Sequence, residues 1–313
     1  MDAVVGNSFY FDFEVRLMEA LQGILGEKGA VLLSQLSALG ETLIFIMILG
    51  FLYWGVDKKA GIKVGTELMF ALCLNPMVKN IANRRRPYFD NTNVKCIRPV
   101  EKDADIYDIA AQGFSFPSGH STNSVVVYGG IARCYKNKLI RALGVVLPVL
   151  VGLSRIIAGV HYPTDVLCGW ALGLVVILIV PVIFDKVGDE KRWLVFLILS
   201  VISLLGGFYC KTDDYFTGLG MMLGFSVAVE IEERFIKFES TNRPLEIGLR
   251  LVLGAAIFSA ITSLLKLPFP AEVLNRGDFL AHLIRVLRYF IASVVSMGLY
   301  PACFKKMSGL FNK

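Results

Sequence analysis

The chain has 313 residues, of which 55% are hydrophobic and 19% charged, with a formal net charge of +6. Its mean hydropathy is +0.61. A soluble globular chain carries about a quarter charged residues, so this balance excludes an ordinary soluble domain and points to the membrane.

In chain order, residues Met1–Phe13 contain Asp2 and Asp12 and no basic cluster ahead of an apolar core. A cleaved signal is therefore not expected, and the first span should act as an uncleaved anchor. Phe11–Leu25 places apolar residues at helical spacing among charges. The pattern predicts an amphipathic helix on the membrane surface; a helix packed on other protein is the alternative reading. Residues 1–37 form this N-terminal segment. The runs Leu39–Val56 and Val166–Phe184 hold almost no charge, and each approaches the roughly 20 apolar residues a spanning helix needs. In lipid only helices and closed barrels satisfy their backbone, and these runs lack strand alternation. The expected fold is all-α, a polytopic transmembrane bundle of about nine spans: Ala38–Val56, Ile62–Lys79, Gly119–Arg133, Leu139–Ala158, Pro163–Asp185, Lys191–Tyr209, Tyr215–Ile231, Leu245–Lys266 and Leu280–Phe304.

The second of these spans ends in Lys79-Asn-Ile-Ala-Asn-Arg-Arg-Arg86-Pro87. If the helix continues, Lys79 and Arg86 share one face with Asn83 between them. An arginine fork and a lysine point charge at a helix end suit an anionic group such as phosphate. Arg84 and Arg85 point elsewhere on such a helix and read as snorkelling cations at a membrane edge. A long charged loop, Pro87–Phe116, follows, and loops of that length are usually functional or disordered.

The third span opens with Phe116-Pro117-Ser118-Gly119-His120-Ser121. The N–H groups of Ser118, Gly119 and His120 at a helix start would form an anion site, and His120 beside it could donate a proton. The fourth span ends in Ser154-Arg155, and the fifth begins at His161-Tyr-Pro-Thr-Asp165. Pro163 suits a first helical position. His161 then sits just before the helix and Asp165 in its first turn, so that the carboxylate can hold one imidazole nitrogen and free the other to attack. Arg155 adds a further clamp for an anion.

Residues 38–185 thus form a candidate catalytic core, and residues 186–313 add spans without a motif. His282, the third of three histidines, has no comparable partner and reads as structural. The six cysteines show no C-x-x-C pair or metal-type spacing; Cys96 and Cys210 leave a disulfide open. Basic residues mark alternate connectors, including Lys58, Lys59, Lys136, Lys138, Lys186, Arg234 and Lys313. By the positive-inside rule those connectors are cytoplasmic. All three motif segments then meet at the extracytoplasmic face, where the basic stretch from Lys79 to Lys102 runs against the topological bias and so serves chemistry.

Taken together, K-x6-R-P (Lys79, Arg86, Pro87), P-S-G-H (Pro117–His120) and S-R-x5-H-x3-D (Ser154, Arg155, His161, Asp165) resemble the three-part signature of the type 2 phosphatidic acid phosphatases. The wider superfamily includes soluble vanadium-dependent haloperoxidases. The resemblance implies metal-independent hydrolysis of a lipid phosphate or pyrophosphate with no cofactor: polyprenyl pyrophosphate, phosphatidylglycerol phosphate or phosphatidate. It implies His161 as the nucleophile that forms a phosphohistidine, Asp165 as its orienting partner and His120 as the acid for the leaving group. Lys79, Arg86, Ser118, Gly119 and Arg155 would form the phosphate cradle. The expected partners are the lipid substrate and the bilayer of the cell membrane, with no nucleic acid. A lipid transporter keeping a vestigial site and a haloperoxidase-like activity are the alternatives.

Overall fold

The computed structural model describes residues 6–310, and among them every regular element is a helix. Asp2 and Lys313, used above for the N-terminal and topological readings, lie outside the described residues. Helix α1 (Asp12–Ser34) is broken by Gly26 at φ +63°. It is followed by α2 (Thr42–Val56), bent by 42° from the preceding stretch Asp12–Gly40, and by α3 (Lys58–Ala82). Residues 119–134 form α4, a helix with a π-helical turn at Val125–Gly129. Helix α5 (Lys138–Ile157) starts where the side-chain Oδ1 of Asn137 accepts the N–H groups of Leu139 and Ile140, the usual way to satisfy orphan donors at a helix start. Then come α6 (Pro163–Val187), α7 (Arg192–Leu205), α8 (Asp213–Ile231), α9 (Pro244–Leu264) and α10 (Phe279–Ser293).

Among the described residues, four helices are long and apolar enough to cross a membrane: Lys138–Ile157, Pro163–Val187, Pro244–Leu264 and Phe279–Gly309. A fifth is added if the bent pair Asp12–Gly40 and Thr42–Val56 is one span. They match the expected spans Leu139–Ala158, Pro163–Asp185, Leu245–Lys266 and Leu280–Phe304 to within a few residues. The remaining expected spans are helical too, but shorter or more polar.

The chain divides into two units that do not follow chain order. One comprises residues 1–44 and 74–177, the other residues 45–73 and 178–313. The N-terminal segment belongs with the motif-bearing helices, because Glu14, Met18 and Ala30 of α1 are buried within that unit. Along α1 Phe13, Leu17 and Ile24 are exposed, as is Phe11 just before it.

Within the first unit, α4 lies close on α6. A Cβ at Gly169 would stand 2.7 Å from the Ser118 carbonyl oxygen, and one at Gly173 2.8 Å from that of Thr122. Two small residues one helical turn apart let two backbones approach in this way. No disulfide joins Cys96 and Cys210.

Candidate active site

Helix α3 brings Lys79 to its last turn and stops at Ala82, because Asn83 takes a left-handed φ of +48°. The chain beyond pairs with the residue Asn7 near the N-terminus: Asn7 N–H donates to the Asn83 carbonyl at 2.6 Å, and Arg85 N–H to the Asn7 carbonyl at 2.8 Å. Lys79 and Arg86 therefore do not share a continuous helical face, which corrects the expectation from their spacing. Arg86 reaches the site from extended backbone. Its Nε donates to the carbonyls of Gln112 (2.9 Å) and Gly113 (3.1 Å), and a terminal nitrogen donates to Val160 (2.9 Å). It thereby fastens the charged loop and the segment before His161 while keeping its charge at the site. Gln112, itself fully buried, gathers that loop through the N–H groups of Val100 and Glu101 and the Glu101 carbonyl.

The second correction concerns Arg84, expected to snorkel. It is 1% exposed. One terminal nitrogen donates to Asp165 Oδ1 and Thr164 Oγ1, each at 2.7 Å, and the other to Glu14 Oε2 at 3.1 Å. The guanidinium lies between the rings of Phe9 and Tyr162, 4.8 and 4.0 Å from their centroids. The turn at Asn83 explains the difference: it aims the side chain of Arg84 inward. Arg85, in contrast, pairs with Asp90 at 2.5 Å and keeps partial exposure.

Ser118 caps α4 through its side-chain oxygen. Its backbone N–H is not available to an anion, because it donates to the Asp165 carbonyl at 2.9 Å. That bond ties the second motif to the third. The N–H groups of Gly119 and His120, at the first positions of α4, lie where a helix offers donors without intrahelical acceptors. Asn75 of α3 steadies the turn from the other side, donating to Thr122 Oγ1 at 2.9 Å. A Cβ at Gly40 would stand 3.1 Å from Cδ2 of His120, so glycine there makes room for the imidazole.

His161 stands just before α6 and is 3% exposed. Its Nδ1 faces Asp165 Oδ2 at 3.5 Å, a contact longer than a normal hydrogen bond. Asp165, in the first turn of α6, is anchored by the Arg84 guanidinium on one oxygen and the Tyr162 N–H (2.7 Å) on the other. Burial, followed by the charges of Arg86, Arg155 and Lys79, holds His161 well below the usual histidine range. The imidazole is neutral at pH 7 with Nε2 turned from the carboxylate, which is the form a nucleophile requires. Arg155 is 3% exposed. Among the described residues its Nε has no acceptor, and no carboxylate lies in ion-pair range of it. A buried, uncompensated guanidinium is costly, and an anion arriving beside it removes that cost. Among the described residues no group of three or more His, Cys, Asp or Glu side chains is placed to hold a metal ion.

The arrangement can hold a tetrahedral anion against buried cations beside a neutral imidazole. Sequence reasoning missed Glu14, Asn75, Arg84, Gln112 and Thr164. None of these five lies at a motif spacing; the local signal the sequence does carry is the glycine pair Gly169 and Gly173, which sets the approach of α4 and α6.

Residues 60–189 match the model of the PAP2 superfamily, and residues 216–313 match that of the transmembrane extension of PAP2 superfamily phosphatases. The chain is 30% identical over 188 residues to the decaprenylphosphoryl-5-phosphoribose phosphatase of Mycobacterium tuberculosis, covering 57% of this chain and 93% of that protein. It is 42% identical over 87 residues to phosphatidylglycerophosphatase B of Bacillus subtilis, covering 25% of this chain and only 40% of that protein. An undecaprenyl-diphosphatase of Bacillus subtilis is 29% identical over 149 residues, 48% of this chain and 68% of the relative. No solved structure matches the chain.

Proposed function

The chain belongs to the PAP2 superfamily, and from that premise we propose that it hydrolyses a lipid phosphate or pyrophosphate at the extracytoplasmic face of the cell membrane through a phosphohistidine on His161. The observation that carries the reading is buried His161, its Nδ1 facing Asp165, in the field of Arg86, Arg155 and Lys79, with no carboxylate in ion-pair range of Arg155 among the described residues.

In the proposed reaction Nε2 of His161 attacks phosphorus. The N–P bond forms as the P–O bond to the lipid alcohol, or to the leaving phosphate of a diphosphate, breaks. His120 gives its proton to the departing oxygen. Water then attacks the phosphohistidine, passing a proton to His120, and the N–P bond breaks to release inorganic phosphate. Uncatalysed hydrolysis of phosphate monoesters is slow enough to call for up to about 10²¹-fold acceleration. Charge on the equatorial oxygens is met by Lys79, Arg86 and Arg155 and by the N–H groups at Gly119, preorganised donors of the kind that contribute most to such catalysis. Ser118 contributes as the cap that aims those N–H groups.

The relatives act on polyprenyl and glycerophospholipid phosphates by name, and polyprenyl pyrophosphate, phosphatidylglycerol phosphate and phosphatidate are the substrates to try. The nine-span topology and the extracytoplasmic site rest on the alternation of basic connectors. The surface-lying role of α1 rests on its exposed Phe11, Phe13, Leu17 and Ile24.

Phosphate release by the purified protein across that lipid panel, with chelator present, tests the reaction. Activity should persist in EDTA and be inhibited by vanadate, which mimics the pentavalent phosphorus. Loss of activity on chelation, restored by magnesium, would overturn the metal-independent mechanism. Binding of these lipids without phosphate release would favour a transporter with a vestigial site. For the topology, Asp103→Cys in a cysteine-free background places one thiol on the exposed charged loop. It should react with an impermeant reagent in whole cells; labelling only after lysis would invert the bundle.

A further inference from the structure

We infer that Glu14 and Arg84 are positioning residues for the proposed hydrolysis, acting on His161 through Asp165, and that the N-terminal helix is therefore part of the site. The inference rests on the phosphatase reading above. Glu14 lies outside both segments matched to family models.

Glu14 is fully buried and uses both oxygens. Oε1 accepts from the Thr164 N–H (2.8 Å) and hydroxyl (2.7 Å); Oε2 accepts from the Phe11 N–H (3.0 Å) and from Arg84 (3.1 Å). Arg84 then reaches Asp165 at 2.7 Å, and Asp165 faces Nδ1 of His161. The sequence of contacts is carboxylate, guanidinium, carboxylate, imidazole, drawn from three separate segments of the chain.

Charge explains why Glu14 is needed. Arg84 and Asp165 alone would form a neutral pair, and a neutral pair offers little to a ring that becomes positive as its Nε2 bonds to phosphorus. Glu14 offsets the Arg84 charge, so the three groups together carry one net negative charge. That charge is directed at Nδ1 when the attacking imidazole needs it. Arg84 meanwhile fixes the carboxylate from its far side, and the rings of Phe9 and Tyr162 leave the guanidinium no other seat. The interaction is made with the transition state more than with bound substrate. Its loss should lower kcat and leave KM little changed.

The test is a cycle of Glu14→Gln and Asp165→Asn, assayed for phosphate release from a short-chain lipid phosphate, with thermal unfolding followed in the same detergent. In the wild-type background Glu14→Gln should lower kcat about 10- to 100-fold with KM little changed. In the Asp165→Asn background the same substitution should cost close to nothing, since the residue it acts through has already lost its charge. Equal losses in both backgrounds, or a loss confined to KM or to thermal stability, would overturn the inference. If Glu14→Gln fails to fold, Thr164→Val takes its place, because it removes the hydroxyl between Glu14 and Arg84 and leaves the ion pairs. A wild-type protein as silent as His161→Ala would overturn the phosphatase reading itself. An active wild type with an additive cycle would overturn only the coupling through Asp165.

Discussion

Both units bury arginine, and they treat it in opposite ways. In the unit of residues 45–73 and 178–313, Arg250 is 2% exposed and meets Glu246 at 2.6 Å. Its other terminal nitrogen donates to the carbonyls of Trp54 and Glu239, while Ser308 and Thr241 hydroxyls donate to Glu246. Lys58 is paired with Glu232 in the same unit. In the unit of residues 1–44 and 74–177, Arg84 is matched by two carboxylates, but Arg155, 3% exposed, has no carboxylate in ion-pair range among the described residues. A closed buried pair leaves nothing for a ligand to gain and serves the fold. An open buried cation retains a desolvation cost that an incoming anion relieves. By charge alone, the first unit is the one with something for an anion to gain.

The largest effect is expected at the proposed nucleophile. His161→Ala should reduce phosphate release by at least about 10⁴-fold and leave no acid-labile phosphoenzyme after rapid quenching with labelled substrate. Retention of a trappable phosphohistidine in that variant would move the nucleophile to His120. The proposed acid should behave differently. His120→Ala should slow a lipid monophosphate by about 10²–10⁴-fold and an activated aryl phosphate much less, because the aryl leaving group needs little protonation. Equal slowing of both would remove the acid role from His120.

The two arginines give the direct contrast. Arg155→Met should lower kcat/KM about 10²–10³-fold, the cost of losing one preorganised donor, with the unfolding temperature held or raised because an uncompensated buried charge is gone. Arg250→Met should do the reverse. It strands Glu246, a change that costs about 3–5 kcal/mol, and any protein that remains folded should turn over normally. Melting curves and kinetics on the same two preparations decide it. If both variants lose stability alike and Arg155→Met retains full activity, the distinction between open and closed buried cations fails.

Much of the first unit was legible in the sequence because its chemistry is local. Pro163 starts a helix, so His161 and Asp165 fall on either side of that start, as their spacing predicts. A helix starts at Gly119, as the P-S-G-H stretch implies, although the Ser118 N–H expected to be free is spent on the Asp165 carbonyl. The contacts that hold these segments together were not legible. Arg84 bonds Glu14 across 70 residues and Asp165 across 81, and no periodicity reports a pairing of that range. Which of three consecutive arginines turns inward depends on the single left-handed residue Asn83, and sequence spacing assumed a continuous helix there. Spans such as Lys138–Ile157 and Pro163–Val187 were legible because apolar length is itself the physical requirement. The division into units was not, since it is set by which helix faces meet.

The smallest and most local expectation concerns the protonation of His161. Burial and the charges of Arg86, Arg155 and Lys79 depress its folded-state value below the ordinary histidine range. An unfolded chain takes up that proton near pH 6.5, while the folded protein does not until the pH is lower. Between those two points the unfolded state binds more protons, so the stability this group contributes is present above about pH 6.5 and is lost as pH falls toward the folded value. The chain has three histidines, so a His120→Gln, His282→Gln protein labelled with ¹³C-histidine reports His161 alone. Its ring signal should stay in the neutral position as pH falls through 6.5. Adding Arg155→Met removes one of the depressing charges and should bring the titration back toward the ordinary range. Arg250→Met should leave it where it was, because Arg250 is no part of the field on His161. A His161 that titrates at its ordinary value in the parent protein would show that the cations of the first unit are screened from it.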